Sequence, residues 1–295
     1  MNPSSTHTAT PSGRLQAVTF DWAGTLVDFG SLAPTQIFVE TFASFGIHIT
    51  LAQARGPMGL SKRDHIRTLL DEPAINAQWR ERFAAPPNAN DIDALYERFM
   101  PMQIQKVGDY SQPIPGAVET LGWLRAQGLK VGSCSGYPRQ VLDVLLPLAA
   151  KAGIAPDHVV AGDELAAGGR PGPYMALANV LALGVSDVRA CVKVDDTAPG
   201  IEEGRNAGMW CVGVTLSGNE VGLTEEALGR LAAAEVERLR KVAGMRLRQA
   251  GAHLIIDSVS DLPRALLEIE RLRRDEGFHE DGGSPEVPSV RSIAR

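Results

Sequence analysis

The sequence predicts an α/β protein: a doubly wound parallel sheet with a helical cap inserted after its first strand. Three short apolar runs, rich in β-branched residues, each stop at a polar side chain. An open parallel sheet presents chemistry in this way, at the carboxyl ends of its strands. The runs end at Asp21, at Ser135 and at the pair Asp195-Asp196. Between the first and second runs lies a long stretch whose apolar residues recur at helical spacing.

Residues 14–28 open the core with a strand, an acid and the Gly-containing turn Trp22-Ala23-Gly24-Thr25. Residues 29–108 form the expected cap. There a helix starts at Pro34, stops at Gly46 and buries Ile37, Phe38, Phe42 and Phe45; a second starts at Ser61, and further helices cover 78–83 and 91–105. The core resumes over 109–275. Its expected elements are a helix at 115–127, a strand at 129–134, a helix with Pro138 at its first position, a helix at 174–183 and a strand at 190–195. A long charged helix at 225–250, a strand at 252–257 and a closing helix at 261–274 complete it. Residues 1–13 lack an apolar signal core and read as a disordered leader, and the polar stretch 276–295 reads as a mobile tail.

Composition narrows the function classes. The 295 residues suffice for a full core and a smaller second unit, and the net charge of −6 argues against general nucleic-acid binding. Cys134, Cys191 and Cys211 have no CxxC spacing, which argues against a disulfide framework or a zinc site. Cys134 is expected to point into the core. No apolar run approaches a membrane span, so a cytoplasmic protein without membrane association is expected.

Chemistry concentrates at a few positions. Ser61 followed by Asp64 is a capping-box pattern, which puts Lys62 at the positive end of a helix dipole. A lysine held there, and partly desolvated, tends toward the neutral amine, a carbonyl nucleophile; on this segment alone, an exposed surface lysine is the other reading. His65 falls on the same helical face and is a candidate proton shuttle, with Met58 packed beside the lysine. Ser135 and the N–H groups after it, Gly136 first, offer a seat for an anionic oxygen, although Ser135 would serve equally as a plain helix cap. Trp22 and Tyr137 are candidate walls. Arg170, in a Gly/Pro loop, is a fixed planar cation suited to carboxylate or phosphoryl oxygens. Asp195 and Asp196 repel one another unless a cation lies nearby. With Asp21 they supply hard oxygen ligands for Mg²⁺, while an ordinary turn remains the plainer reading of the pair.

The four motifs, in this order, resemble those of the haloacid dehalogenase superfamily, whose first Asp attacks phosphorus or carbon and whose core is Rossmannoid. Superfamily phosphatases and mutases carry an acid two places after that Asp, to protonate the leaving oxygen. Here the position is Ala23, and a methyl group donates no proton. Cleavage of a phosphorus–carbon bond needs an electron sink for the departing carbon instead, and a lysine imine provides one. The segments Phe20-Asp21-Trp22-Ala23-Gly24-Thr25, Met58-Gly59-Leu60-Ser61-Lys62-Arg63-Asp64-His65, Gly169-Arg170-Pro171 and Glu203-Gly204-Arg205-Asn206-Ala207-Gly208-Met209-Trp210 resemble those of the phosphonoacetaldehyde hydrolases (phosphonatases).

That resemblance implies hydrolysis of phosphonoacetaldehyde to acetaldehyde and phosphate, in 2-aminoethylphosphonate degradation. It makes Asp21 the nucleophile that becomes an aspartyl-phosphate, Lys62 the Schiff-base lysine and Arg170 the phosphoryl-binding cation. Ser135 stands where the family usually has threonine. Mg²⁺ would be held by Asp21, the carbonyl of Ala23 and Asp196, with Thr25 and Asp195 in the outer shell. A cap-mediated homodimer is also implied. One departure stands out: the superfamily often has a further acid where this chain has Gly200, and many relatives have glycine where it has Asp195. Asp195 is therefore expected to take over part of that acid's role, orienting metal-bound water or Arg170, and the choice of direct ligand between Asp195 and Asp196 stays open. Two rivals are a phosphate-ester phosphatase or mutase, which would want an acid at 23, and a non-catalytic scaffold in which Gly200 marks decay.

Overall fold

The computed structural model describes residues 14–277. Its single sheet has six parallel strands: β1 (Ala17–Phe20), β2 (Lys130–Cys134), β3 (His158–Val160), β4 (Cys191–Asp195), β5 (Trp210–Val214) and β6 (Leu254–Ile256), in the order β3-β2-β1-β4-β5-β6. The chain winds outward from β1 to β3 and returns to β4 on the other side of β1. The switch point, where such sheets hold their ligands, therefore lies between the carboxyl ends of β1 and β4. Register fixes what meets there. Phe20 is level with Ser133 and Val194, so Asp21 emerges beside Cys134 and Asp195.

The central strands read as apolar runs because helices cover both faces of the sheet; all four residues of β1 are buried. Helices α6 (Ala117–Ala126), α7 (Arg139–Lys151), α8 (Tyr174–Ala182), α9 (Ala198–Asn206), α11 (Ala233–Gln249) and α12 (Leu262–Gly277) flank the sheet, with a short α10 (Glu225–Gly229) before α11. The helix expected over 225–250 is thus two helices. Thr224 caps the first by accepting from the Ala227 N–H at 3.0 Å, Gly229 ends it, and the chain restarts after Ala232. Pro138 stands one residue before α7 rather than at its first position, with an extended backbone. β3 and β5 have no counterpart among the strands read from periodicity. β3 is three residues long, and β5 is contiguous with the Glu203–Trp210 motif. The leader lies outside the described residues, as does the tail from residue 278 on.

Between β1 and α6 the chain is helical, with α1 (Leu32–Ser44), α2 (Leu51–Arg55), α3 (Lys62–Asp71), α4 (Pro73–Phe83) and α5 (Ala89–Lys106). A full capping box starts α2 at Thr50/Gln53 and another starts α5 at Asn88/Asp91. The Ser61–Asp64 pair completes only half of one. Ser61 Oγ accepts from the Asp64 N–H, but the Asp64 carboxylate takes the Ser61 hydroxyl at 2.6 Å and pairs with Arg67 instead of turning back to the Ser61 N–H. Lys62 is still the first residue of α3.

The packing inside this insert is aromatic. Phe38 of α1 stacks on Phe99 of α5 at 4.4 Å and on His65 of α3 at 3.8 Å, so one ring ties three helices together. Phe99→Ala should cost about 3–5 kcal/mol of stability in urea unfolding, because the cavity opens under a ring that has no other stacking support on that side; a loss below about 1 kcal/mol would mean that the insert relaxes into the gap.

Candidate active site

Of the site residues predicted from sequence, Asp21, Ser135, Gly136, Arg170, Asp195 and Asp196 lie at the carboxyl ends of the strands or in the loops beside them. Lys62 and His65 come from α3 of the insert, and Ala23 and Thr25 lie in the turn after Asp21. Asp21 continues β1, its N–H held by the Val194 carbonyl at 3.0 Å, and its carboxylate accepts from Arg170 at 2.7 Å. Arg170 is buried and fully engaged. Its Nε donates to Glu203 at 2.9 Å, one terminal nitrogen also reaches the Cys134 carbonyl at 2.9 Å and Asp195 at 3.2 Å, and the other reaches the Gly59 carbonyl at 3.3 Å. Glu203 and Asp195 further pair with Lys193, at 3.0 and 3.2 Å.

Lys193 and Glu203 were not recognised as parts of the site from the sequence. A signal existed, since a lysine in the middle of an apolar parallel strand must find buried acids. Glu203 sits in the first-quoted position of the Glu203–Trp210 motif, without a role there. Cys134 is buried as expected, but its thiol ends in this charge network, accepting from Lys193 at 2.8 Å and donating to Glu203 at 3.4 Å. Burial and the nearby Glu203 push it up to about 12, so it is an inert neutral thiol.

The two adjacent acids divide their partners unequally. Asp195 takes the cations Arg170 and Lys193 on one oxygen, as ion contacts without hydrogen-bond alignment, and the Thr197 hydroxyl and N–H on the other, at 2.7 and 3.0 Å. Burial raises it, but Arg170 and Lys193 outweigh burial and hold it below the usual carboxylate range. Asp196 has only neutral donors, the Thr25 hydroxyl at 2.9 Å and the Asn219 N–H at 2.8 Å. Burial, with Asp21 and Asp195 close by, pushes it well above that range. Burial likewise raises Asp21 to about 6 against the pull of Arg170.

Asp21, Asp195 and Asp196 bring ligand oxygens within 4.8 Å of one another. With Glu203, the site holds four buried carboxylates, of which Asp21, Asp195 and Glu203 pair with the two cations Arg170 and Lys193 and Asp196 does not. The set fits a divalent cation, which would offset the remaining charge at the acid that has no cationic partner of its own.

From the insert, Lys62 arrives 3 % exposed, with Nζ 5.0 Å from the Tyr137 ring centroid and 5.6 Å from that of Phe38. Burial lowers its amine to about 7, assisted by Arg170 and opposed by Asp21. His65 is also buried and held neutral, well below its usual value. Its Nε2–H donates to the Ala54 carbonyl at 2.9 Å, which leaves the Nδ1 lone pair without a partner. Gly59 permits this close docking: its backbone is left-handed (φ 95°), and a Cβ there would fall 2.3 Å from Thr197 Oγ1 of the core.

Two expectations change. Of the N–H groups after Ser135, that of Tyr137 is taken by Ser135 Oγ at 3.0 Å and Pro138 has none, so only Gly136 offers a free N–H there. Trp22 is no wall of the site: its indole is buried and donates to Ser133 Oγ at 3.1 Å. Tyr137 is a wall, but of the Lys62 amine.

An Asp on a strand end, a second acid pair on the neighbouring strand, a fixed loop cation and a helical insert after strand one define a class of hydrolases. The family model described as haloacid dehalogenase-like hydrolase matches residues 15–208. A phosphonoacetaldehyde hydrolase of Vibrio cholerae is 56% identical over 258 residues, 87% of this chain and 95% of that one. One from Klebsiella pneumoniae is 56% identical over 265 residues, 89% and 98% of the two chains. The crystal structure of a phosphonoacetaldehyde hydrolase-like protein from Oleispira antarctica superposes with a TM-score of 0.88 at 44% identity, covering 92% and 96%. The chain belongs to the haloacid dehalogenase-like hydrolases and, among them, to the phosphonoacetaldehyde hydrolase family.

Gly200 has a direct physical reading. A Cβ at Gly200 would fall 1.9 Å from Asp195 Oδ2, so positions 195 and 200 share one volume and only one of them can fill it. Gly200→Asp alone should clash and Asp195→Gly alone should leave Arg170 and Lys193 short of an acid. The double variant Asp195→Gly/Gly200→Asp should recover activity about tenfold or more over either single, because Asp at 200 would also complete a capping box with Thr197. Purely additive losses in that double-mutant cycle would show that the two positions do not share one carboxylate site.

Proposed function

We propose that this enzyme hydrolyses the P–C bond of phosphonoacetaldehyde to acetaldehyde and phosphate, through a Lys62 imine and an Asp21 aspartyl-phosphate. One observation carries the reading: a dry, neutral-leaning amine, close enough to feel the charges of Asp21 and Arg170, is held in a site whose general-acid position is the methyl of Ala23. Lys62 attacks the aldehyde carbon, the oxygen leaves as water, and an imine protonated on nitrogen remains. Asp21 attacks phosphorus in line, and the electrons of the P–C bond move into the imine to give an enamine. Water then cleaves the aspartyl-phosphate, the enamine takes a proton on carbon, and hydrolysis of the imine frees acetaldehyde and Lys62. His65, with its Nε2–H fixed, has Nδ1 available to accept and return protons. Support for a phosphonate seat comes from the free N–H of Gly136, the Ser135 hydroxyl and the charge of Arg170 beside Asp21.

Mg²⁺ held by Asp21, the Ala23 carbonyl and Asp196 would neutralise charge between the attacking carboxylate and the phosphonate. The unequal partners of the acid pair support Asp196 as the direct ligand and Asp195 as the residue that orients Arg170. Residues 29–108 act as the cap domain and residues 14–28 with 109–275 as the core. We assign the enzyme to the cytoplasm, as a homodimer acting in 2-aminoethylphosphonate breakdown; among the described residues no helix is long and apolar enough to cross a membrane. Phosphate release from phosphonoacetaldehyde, measured beside p-nitrophenyl phosphate, tests the reading. Turnover of the ester alone would favour a phosphatase.

With Lys62 lowered to about 7, roughly half of it is neutral at pH 7, against about 0.03% for an ordinary lysine. Borohydride trapping with acetaldehyde should therefore label Lys62, level off above about pH 7 and fall about tenfold per pH unit below it. Lys62→Arg should abolish both trapping and turnover. A limb near pH 10 would mean that the amine is not held neutral, and label on another lysine would remove the Lys62 imine from the scheme.

EDTA should abolish turnover, with Mg²⁺ restoring it and Ca²⁺ doing so poorly, because looser coordination misplaces the phosphonate. Asp195→Asn should cost about 10–100-fold in metal affinity or activity and Asp196→Asn more. The reverse order would exchange the two roles, and full activity in metal-free enzyme would remove the metal.

A further inference from the structure

Two stretches of chain converge on one guanidinium of the insert that the chemistry above does not use. Arg55 ends α2 of the insert and is half-buried. One terminal nitrogen donates to the Gly30 carbonyl at 2.9 Å, where the chain crosses from core to insert, and to Asn219 Oδ1 at 3.3 Å; the other donates to the Gly222 carbonyl at 3.0 Å. Asn219 answers in kind, its Nδ2 donating to the Arg55 carbonyl at 3.3 Å. Gly222 has a left-handed backbone (φ 65°), and a Cβ there would lie 2.4 Å from Arg55 Cζ, so the core loop is shaped around the cation.

The same loop reaches the acid pair. The Asn219 N–H holds Asp196 Oδ2 at 2.8 Å, Ser217 Oγ donates to the Gly24 carbonyl at 3.1 Å, and the Ser217 carbonyl receives the Gly30 N–H at 2.7 Å. On the insert side, Arg55 adjoins Ala54, whose carbonyl fixes His65, and the Arg55 carbonyl receives the Met58 N–H at 3.1 Å in the turn that leads to Lys62. One residue therefore joins the crossing and the Asp196 loop, through its side chain, to the segment that carries the amine, through its backbone.

We propose that Arg55 is a latch: a positioning residue that holds the insert closed over Lys62 and, through the 217–222 loop, keeps Asp196 in place. A lysine in its stead has one point of attachment and cannot bind three acceptors in a plane. Loss of the latch should admit water to Lys62 and loosen the metal site together, two effects that a local packing defect would not couple. Where turnover is read, the proposal rests on the function assigned above. Its primary readouts do not.

The test uses the full chain and Arg55→Met, which keeps the aliphatic stem, with Arg55→Lys and Asn219→Ala beside it. Labelling of Lys62 by trinitrobenzenesulfonate, followed by peptide mass spectrometry, should be about tenfold faster or more in Arg55→Met and intermediate in Arg55→Lys. Mg²⁺ affinity by calorimetry, in the absence of substrate, should weaken about fivefold or more in the same order. Asn219→Ala, which retains the backbone N–H to Asp196, should accelerate labelling while leaving Mg²⁺ affinity closer to the parent. Unchanged Lys62 labelling in folded Arg55→Met overturns the latch. Were Arg55→Met unable to fold, unchanged labelling in Asn219→Ala would overturn it equally. Altered labelling and Mg²⁺ binding in a protein inactive on phosphonoacetaldehyde would uphold the latch while refuting the assigned substrate.

Discussion

The buried guanidinium of Arg170 is the joint on which the site depends. It lies among Asp21 from β1, Asp195 from β4, Glu203 from α9 and the Cys134 carbonyl from β2, and it reaches the insert at Gly59. Taking such charges out of water is costly, and removing one partner strands the others. The return is geometric. A planar fork with fixed acceptors sets the position of the Asp21 carboxylate, and Lys193 braces Asp195 and Glu203 from within the sheet. Arg170 to lysine would keep the charge and lose that geometry.

Desolvation does different work on each ionisable group. It raises Asp21 and Asp196 toward their protonated forms and lowers Lys62 toward its neutral form. A bound divalent cation would reverse the first effect, restoring both carboxylates, and would further disfavour a charged Lys62. A metal and the dry lysine pocket would thus act in the same direction: anionic carboxylates on the core, neutral amine on the insert. Seating the amine against the rings of Tyr137 and Phe38, with no acid bonded to it, lets burial prevail over the pull of Asp21.

The seam between insert and sheet is correspondingly tight. Gly59 sits on Thr197, and Arg170 reaches across to the Gly59 carbonyl at the point where the loop turns toward Lys62. Thr197 in turn bonds Asp195 and caps α9, so the residue under the insert also orders the acid pair. A change on either side of this seam is felt on the other.

The ends of β1, β2 and β4, most of the inserted helices and the candidate site residues were legible in the sequence because each rests on local chemistry: apolar runs that stop at polar groups, proline starts, glycine stops and motif spacing. The same local signals placed Asp21, Lys62, Ser135, Arg170 and the acid pair. They did not show that Ser61–Asp64 closes only half a capping box, or that 225–250 breaks into two helices, since these outcomes turn on which nearby partner wins. Nor could they distribute the partners of Asp195 and Asp196. Adjacent residues on a strand face opposite sides, and only the folded sheet decides that one meets Arg170 and Lys193 while the other meets Thr25 and the Asn219 N–H. The sequence by itself determined which functional groups this protein carries and in what order. Tertiary structure decided how dry each one is and what charge lies beside it, because burial and Coulomb pairing arise between segments far apart in the chain.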